Sequence, residues 1–198
     1  MQIIKPITDD EMIWNFLKAE FESSRFRKGS LRALEMLKVS KQIIDSPDFT
    51  DEEENKQRAA VLHLTRGWPN EELFTNFPAN TTWTLGRLTK AEVAASYRLN
   101  SSRWPNRASR KVSTVIREIE NGVKFEEISN DIIESIISRV NSSAEVLPII
   151  MVSKSLDDDR TLIEGHTRAL AYASSKCEAE TFNVILGVSL DMKSWAYY

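Results

Sequence analysis

The stretch LIEGHTRALAYA, residues 162–173, decides the predicted fold of the C-terminal half of this 198-residue chain. A short apolar run typical of a strand ends at Glu164, Gly165 follows, and an alanine-rich helical segment begins directly after it. Such a junction points free backbone N–H groups and the positive end of the helix dipole at one spot, and glycine lets an anion approach the backbone closely. The sequence therefore predicts an anion-binding turn at residues 165–168.

The side chains of this turn suit phosphate chemistry. Arg168 offers a permanently charged fork for phosphate oxygens, and Thr167 lies beside it. His166 is a candidate hydrogen-bond donor to a phosphate, or an acid–base group near neutral pH. Glu164 is the candidate general base or Mg²⁺ ligand, because phosphoryl transfer needs positioning, charge neutralisation and one base.

A structural interpretation of the same residues stays open. In that interpretation Gly165 only makes a tight turn, and Arg168 pairs with a surface carboxylate. Glu164 is then a favourable charge at a helix N-terminus, and His166 hydrogen-bonds a neighbouring carbonyl group. The spacing alone does not decide between the two interpretations.

The segments around the turn predict an α+β fold. Strand-type runs occur at residues 146–153 (VLPIIMVS), 161–165 (TLIEG) and 182–189 (FNVILGVS), and residues 81–88 (TTWTLGRL) form a further candidate strand. Helical patterning precedes residue 80 and gives way to strand patterning after it. We therefore predict a helical N-terminal region at residues 1–80 and a separate domain at residues 81–198.

Helix boundaries are predicted from capping residues and breakers. Helices are expected to begin at Thr8, Ser30, Thr50, Thr89 and about Asn130, and to end before Pro47, at Gly67 and at Gly122. Three of the starts have the capping-box form: Thr8 with Glu11, Thr50 with Glu53, and Thr89 with Glu92.

The net charge of −3 hides an uneven distribution. Residues 93–117 contain no Asp or Glu and carry +6, which leaves −9 on the other 173 residues. Tyr97 and Trp104 lie among these cations, an arrangement that suits base stacking and phosphate contact. A solvated basic face with Trp104 in the core is the alternative. If this basic segment belongs to the site, its arginines should face the same pocket as Arg168.

Composition excludes several classes of protein. Hydrophobic residues make up 41% and charged residues 28%, which is typical of a globular chain rather than a disordered one. No apolar run approaches the roughly 20 residues of a membrane span, and the N-terminus lacks the pattern of a secretory signal, so we expect a cytoplasmic location and no membrane partner. Cys177 is the only cysteine, which excludes an internal disulfide and a multi-cysteine zinc site.

The run Glu164-Gly165-His166-Thr167-Arg168, between a strand and an alanine-rich helix, resembles the ParB/sulfiredoxin-like superfamily. The strand PIIMV before it, the closing strand FNVILGV and the upstream helix SRKVSTVIREIENG extend the resemblance over residues 83–190. The resemblance implies a small mixed sheet flanked by helices. It also implies that the turn binds nucleotide phosphates, with CTP as the ligand in ParB-type proteins and ATP or ADP in sulfiredoxins and free-serine kinases.

Individual residues take their roles from this resemblance. Gly165 and Arg168 match the phosphate-binding positions, and Glu164 takes the place of the acidic residue that precedes this glycine in many members. In related domains an arginine-bearing segment upstream closes over the nucleotide. Arg103 and Arg107 are the corresponding candidates here.

The departures from the family matter for function. Sulfiredoxins have their catalytic cysteine where His166 stands, and Cys177 is expected to be a buried, inert thiol, so we do not expect a sulfinic-acid reductase. Chromosome-partitioning ParB proteins continue into a helix-turn-helix domain. This chain is therefore not expected to be a complete partition clamp.

The sequence favours a nucleotide-binding protein, with ATP or CTP as ligand and Mg²⁺-assisted hydrolysis or phosphoryl transfer as its candidate chemistry. Two other classes stay open. One is a nucleic-acid-binding module or ParB-like nuclease that uses the basic segment 98–117 for phosphate contacts. The other is a non-catalytic interaction protein that keeps the fold. The overall acidity of the chain argues against general DNA binding, because affinity for a duplex rests on neutralising many phosphates.

Overall fold

The computed structural model describes residues 1–101, 107–126 and 128–198, and it has the predicted α+β class. The strands are β1 (Gln2–Ile7), β2 (Thr82–Thr89), β3 (Ile149–Ser153), β4 (Arg160–Glu164) and β5 (Thr181–Val188). They form one mixed sheet with the order β1-β2-β5-β3-β4. β3 and β5 run parallel, and the other neighbouring pairs are antiparallel.

The helices lie on both sides of this sheet. They are α1 (Asp9–Glu22), α2 (Arg27–Leu37), α3 (Gln42–Asp45), α4 (Glu52–Arg66), α5 (Lys90–Ala95), α6 (Arg107–Arg110), α7 (Val112–Glu120), α8 (Asn130–Asn141) and α9 (His166–Ala173). In the described part of the chain, no helix combines the length and the apolar character that a membrane span requires.

The two faces of the sheet support two separate cores. Side chains alternate along a strand, so Ile150 and Val152 of β3 point to one face while Ile149 and Met151 point to the other. The first face packs against apolar residues of α1 to α4, and the second against those of α5, α7, α8 and α9. The N-terminal helices therefore form one outer layer and the later helices form the other.

Most of the predicted elements are confirmed. Strands β2 to β5 and helix α9 lie where the pattern placed them. The capping boxes at Thr8 and Thr89 are both formed, and Gly67 ends α4 in the left-handed conformation with φ +77°. Cys177 is buried, as expected for an inert thiol.

Three predictions in the N-terminal region were wrong. Asp51 caps α4 instead of Thr50, because the Asp51 carboxylate accepts from the N–H groups of Glu53 and Glu54. The second helix begins at Arg27 rather than Ser30. It also does not continue to Pro47, since Lys38 adopts a left-handed conformation that ends α2 and leaves α3 as a separate short helix.

Strand β1 was not predicted from the sequence. It pairs with β2 in antiparallel register, from Gln2 opposite Arg87 to Ile7 opposite Trp83. β1 belongs to the region before the predicted boundary near residue 80, and the other four strands belong to the region after it. The sheet therefore includes a strand from the N-terminal region.

Candidate anion site at the Gly165 turn

The turn between β4 and α9 requires glycine. Gly165 has φ +86° and ψ 26°, a left-handed conformation that side chains with a Cβ rarely adopt. A Cβ atom at this position would also lie 2.7 Å from Cγ2 of Ile149. The turn lies at the edge of the sheet, where Glu164 at the end of β4 pairs with Ile150 near the start of β3.

The N-terminus of α9 has unpaired backbone donors. The first helical hydrogen bond that reaches back to the turn runs from the Ala169 N–H to the Gly165 carbonyl oxygen, at 2.9 Å. Within residues 1–101, 107–126 and 128–198, no side chain caps this end of the helix. The N–H groups of His166, Thr167 and Arg168 precede that bond and have no helical acceptor. Together with the helix dipole they favour an anion at this point.

Arg168 contacts the turn itself. Its Nη2 atom donates to the carboxylate of Glu164 and to the carbonyl oxygen of Pro148, the latter at 3.3 Å. The Nε atom of Arg168 is buried and has no hydrogen-bond partner in the described part of the chain. Arg168 does pair with a carboxylate, as the structural interpretation of this turn expects. That carboxylate belongs to the predicted site, so a bound phosphate would compete with Glu164 for the same guanidinium.

His166 is uncharged at neutral pH. Its Nδ1 atom is buried and forms no hydrogen bond with any residue that the structure describes, although the residue as a whole is partly exposed. Burial is the largest cause that lowers the pKa of His166 to about 3; the positive charges of Arg98, Arg168 and Arg25 also lower it, and a looser polar contact with the backbone of Ile163 opposes them. A histidine with so low a pKa is a weak base, and its buried ring lies near the charges of three arginines.

Arg98 is the residue of the basic segment whose charge acts on His166. Its charge and that of Arg168 both lower the pKa of His166, so both charges lie near the turn. Arg110 instead donates to the backbone oxygens of Arg98 and Tyr198, at 3.4 and 3.5 Å, and holds the chain locally. Arg103 lies outside the described residues, as does the side chain of Arg107.

Sequence reasoning missed Arg25, which belongs to the segment between α1 and α2. Its charge contributes to the lowered pKa of His166 although 141 positions separate the two residues in the chain. No local motif marks Arg25, because only the packing of the N-terminal layer on the sheet brings it near the turn.

The described residues do not by themselves form a metal site. No group of three or more His, Cys, Asp or Glu side chains suitable for a metal ion occurs among them. The carboxylate of Glu164 is engaged by Arg168. Glu164 would therefore hold Mg²⁺ only after release from Arg168 and together with oxygen ligands from a bound phosphate.

Comparison with models of protein families, with curated proteins and with solved structures finds no match to this chain. Membership of the ParB/sulfiredoxin-like superfamily thus stays a prediction, which rests on the Glu164–Arg168 motif and on the order of the elements around it.

Proposed function

We propose that this protein binds a nucleotide through its phosphates at the N-terminus of α9. The observation that carries the proposal is the buried Nδ1 atom of His166, which has no hydrogen-bond partner among the described residues and lies near the charges of Arg98 and Arg168. A buried polar atom without a partner costs about 1–3 kcal/mol, so a ligand that supplies the missing hydrogen bond is favoured.

The charges around the turn favour an anion as that ligand. The arginines that depress the pKa of His166 create positive potential beside the unpaired N–H groups of the helix. An anion would neutralise this potential and raise the pKa of His166. A phosphate group also offers several acceptor oxygens for the N–H groups of residues 166–168.

Binding would change the partner of Arg168. A phosphate that accepts from the Arg168 guanidinium would replace the carboxylate of Glu164 and leave that carboxylate unpaired. The free carboxylate would then be the base, or the Mg²⁺ ligand, in hydrolysis or phosphoryl transfer. We propose this exchange as the link between binding and any turnover.

Thermal shift of the purified chain tests the binding proposal. The ligands are ATP, CTP, GTP, UTP, ADP, inorganic phosphate and a short DNA duplex, each with and without Mg²⁺. A ligand that binds only the folded state adds about 2.7 kcal/mol of apparent stability at 100 times its dissociation constant. We expect at least one nucleotide to raise the melting temperature of the wild type.

Variants of the turn locate the binding. Arg168→Ala should abolish the shift, whereas Arg117→Ala, which removes an exposed arginine of the basic segment, should leave it unchanged. The double variant Glu164→Gln/Arg168→Gln removes both charges of the pair, so it keeps the test valid if Arg168→Ala unfolds. The proposal is contradicted if none of the nucleotides raises the melting temperature, or if the rise survives in both Arg168 variants. A rise with DNA alone favours a nucleic-acid-binding protein.

A further inference from the structure

A cavity of about 370 Å³ opens among α1, α2 and α4 in the N-terminal layer. Two of its lining side chains, Glu20 and Ser30, are polar and almost fully buried, with 2% and 1% of their surface exposed. The wall also contains Arg25, Arg32 and Arg66, so three cationic side chains and one carboxylate line the cavity within the described part of the chain. The cavity therefore carries an excess of positive charge.

Contacts with Phe26 and Glu20 hold two of the cations of this cavity, Arg25 and Arg66, in place. Arg66 pairs with the carboxylate of Glu20, and the Ser30 hydroxyl donates to the same carboxylate at 3.5 Å. The guanidinium carbons of Arg25 and Arg66 lie 4.8 and 4.2 Å from the ring centroid of Phe26, which is cation–π geometry. The aromatic ring thus positions two of the three arginines at the cavity wall.

The direction of α1 places this cavity near the Gly165 turn. The helix begins beside Trp83, whose Nε1 donates to Asp9 at 2.8 Å, at the end of the sheet where Trp83 pairs with Gly187. Its 14 residues span about 21 Å, so its last turn, which contains Glu20, lies toward the opposite end. The Gly165 turn lies at that opposite end.

Electrostatic interactions connect the cavity with the turn. The charge of Arg25, on the cavity wall, helps to lower the pKa of His166 in the turn. Conversely, the charge of Glu164 in the turn helps to raise the pKa of Glu20 in the cavity, where burial is the largest cause and Arg66 opposes it. The two places lie within direct Coulombic range of each other.

We propose that the cavity is the second half of the anion site and takes the distal phosphates of a polyphosphate ligand, with Arg25 and Arg66 as their partners. The inference rests on the function proposed above, since the first phosphate occupies the turn. One phosphate satisfies the N–H groups of α9, and the excess positive charge of the cavity then selects a ligand that carries further phosphates. The N-terminal helices would thereby determine specificity for di- and triphosphates over monophosphates.

Isothermal titration at fixed ionic strength tests this division of the site, with inorganic phosphate and tripolyphosphate as probes. We expect the wild type to bind tripolyphosphate at least tenfold more tightly than phosphate. Arg25→Gln should reduce that ratio by about tenfold, because tripolyphosphate loses a charge-assisted contact whereas phosphate at the turn loses only a longer-range attraction. The exposed position of Arg25 makes unfolding of this variant a small risk.

Lys28→Gln is the matched control, because it removes one positive charge from an exposed neighbouring position that does not line the cavity. An equal loss in Arg25→Gln and Lys28→Gln, or no preference for tripolyphosphate in the wild type, overturns the inference while phosphate binding at the turn still stands. If neither probe binds the wild type, the proposed function fails first. A ratio that falls only in Arg25→Gln supports the inference.

Discussion

Arg168 pairs with Glu164 across Gly165, so the first turn of α9 is tied to the last residue of β4 by an ion pair that also closes the candidate site. Only 13% and 17% of the two side chains are exposed, and Arg168 also donates to the Pro148 carbonyl oxygen. The same contact therefore stabilises the fold and occupies the guanidinium that a phosphate would bind. Loss of Arg168 is therefore expected to weaken both stability and binding, whereas loss of the Glu164 charge should weaken stability but free the guanidinium for a phosphate.

The ion pair between Arg168 and Glu164 should contribute measurably to the free energy of unfolding. Arg168→Ala is expected to lower the free energy of unfolding by about 1–3 kcal/mol, because it leaves the partly buried carboxylate of Glu164 without its partner. Glu164→Gln should cost less, and the double variant should cost less than the sum of the two. A double-mutant cycle in urea measures this coupling, and a coupling energy of zero contradicts the structural role of the pair.

Gly165 should tolerate no side chain. Gly165→Ala is expected to lower the free energy of unfolding by the backbone cost of about 1–2 kcal/mol, plus a further cost from the contact with Ile149. Gly122→Ala is the matched control, because Gly122 has a similar φ of +89° but nothing within 4 Å of its Cβ position. Urea denaturation should show a larger loss at Gly165, and equal losses would mean that the close approach to Ile149 has no effect.

His166 should make stability depend on pH. The unfolded chain takes up a proton below the ordinary pKa of 6.5, whereas in the folded chain the pKa of His166 is lowered to about 3. The free energy of unfolding therefore falls as pH falls from 6.5 toward 3, by at most about 1.4 kcal/mol per pH unit.

Two histidine variants isolate this effect. Between pH 7 and pH 5 the wild type should lose up to about 2 kcal/mol more stability than His166→Gln, measured by urea denaturation at each pH. His63→Gln serves as the control, since the side chain of His63 is 46% exposed. The same pH dependence in wild type and His166→Gln would show that His166 is not held neutral in the folded chain.

The Glu20–Arg66 pair should be sensitive to removal of the cation. Arg66→Met leaves a carboxylate that is 2% exposed without a counter-charge, which is expected to cost about 3–5 kcal/mol at neutral pH. Without Arg66 the pKa of Glu20 should rise further, so the cost should shrink as the pH falls and the carboxyl is protonated.

Lys41→Met provides the comparison for this prediction. It breaks the exposed pair with Asp45, which should cost no more than about 0.5 kcal/mol. Chemical denaturation at pH 7 and pH 5 measures both variants. If Arg66→Met lowers the free energy of unfolding as little as Lys41→Met does, or by an amount independent of pH, Glu20 is not a buried charge that depends on Arg66.

Local signals in the sequence were sufficient for much of the fold. The caps at Thr8 and Thr89 use one side chain and one backbone group three residues apart, so the sequence contains the whole interaction. The apolar runs of β3 and β5 are buried on both faces and read clearly as strands. Gly165 is likewise a local signal, because this glycine predicts both the end of β4 and the start of α9.

Features that the sequence did not predict depend on competition between adjacent residues or on partners distant in the chain. Strand β1 has mostly exposed residues and contains Lys5 and Pro6, so its sequence carries little strand signal until β2 pairs with it. Asp51 and Thr50 are adjacent candidates for the same cap, and the Thr50 hydroxyl donates to Asp48 instead. The position of Arg25 near His166 arises only from the packing of the N-terminal helices on the sheet.

The backbone amides of the turn provide the most direct test of the central claim, that phosphate binds at the N-terminus of α9. Amide chemical shifts of the ¹⁵N-labelled chain should be followed while ATP, CTP or inorganic phosphate is added. We predict that the largest changes occur at His166, Thr167 and Arg168, and that they disappear in the Glu164→Gln/Arg168→Gln variant. No change at these three amides at millimolar ligand, or larger changes elsewhere in the chain, would contradict the account.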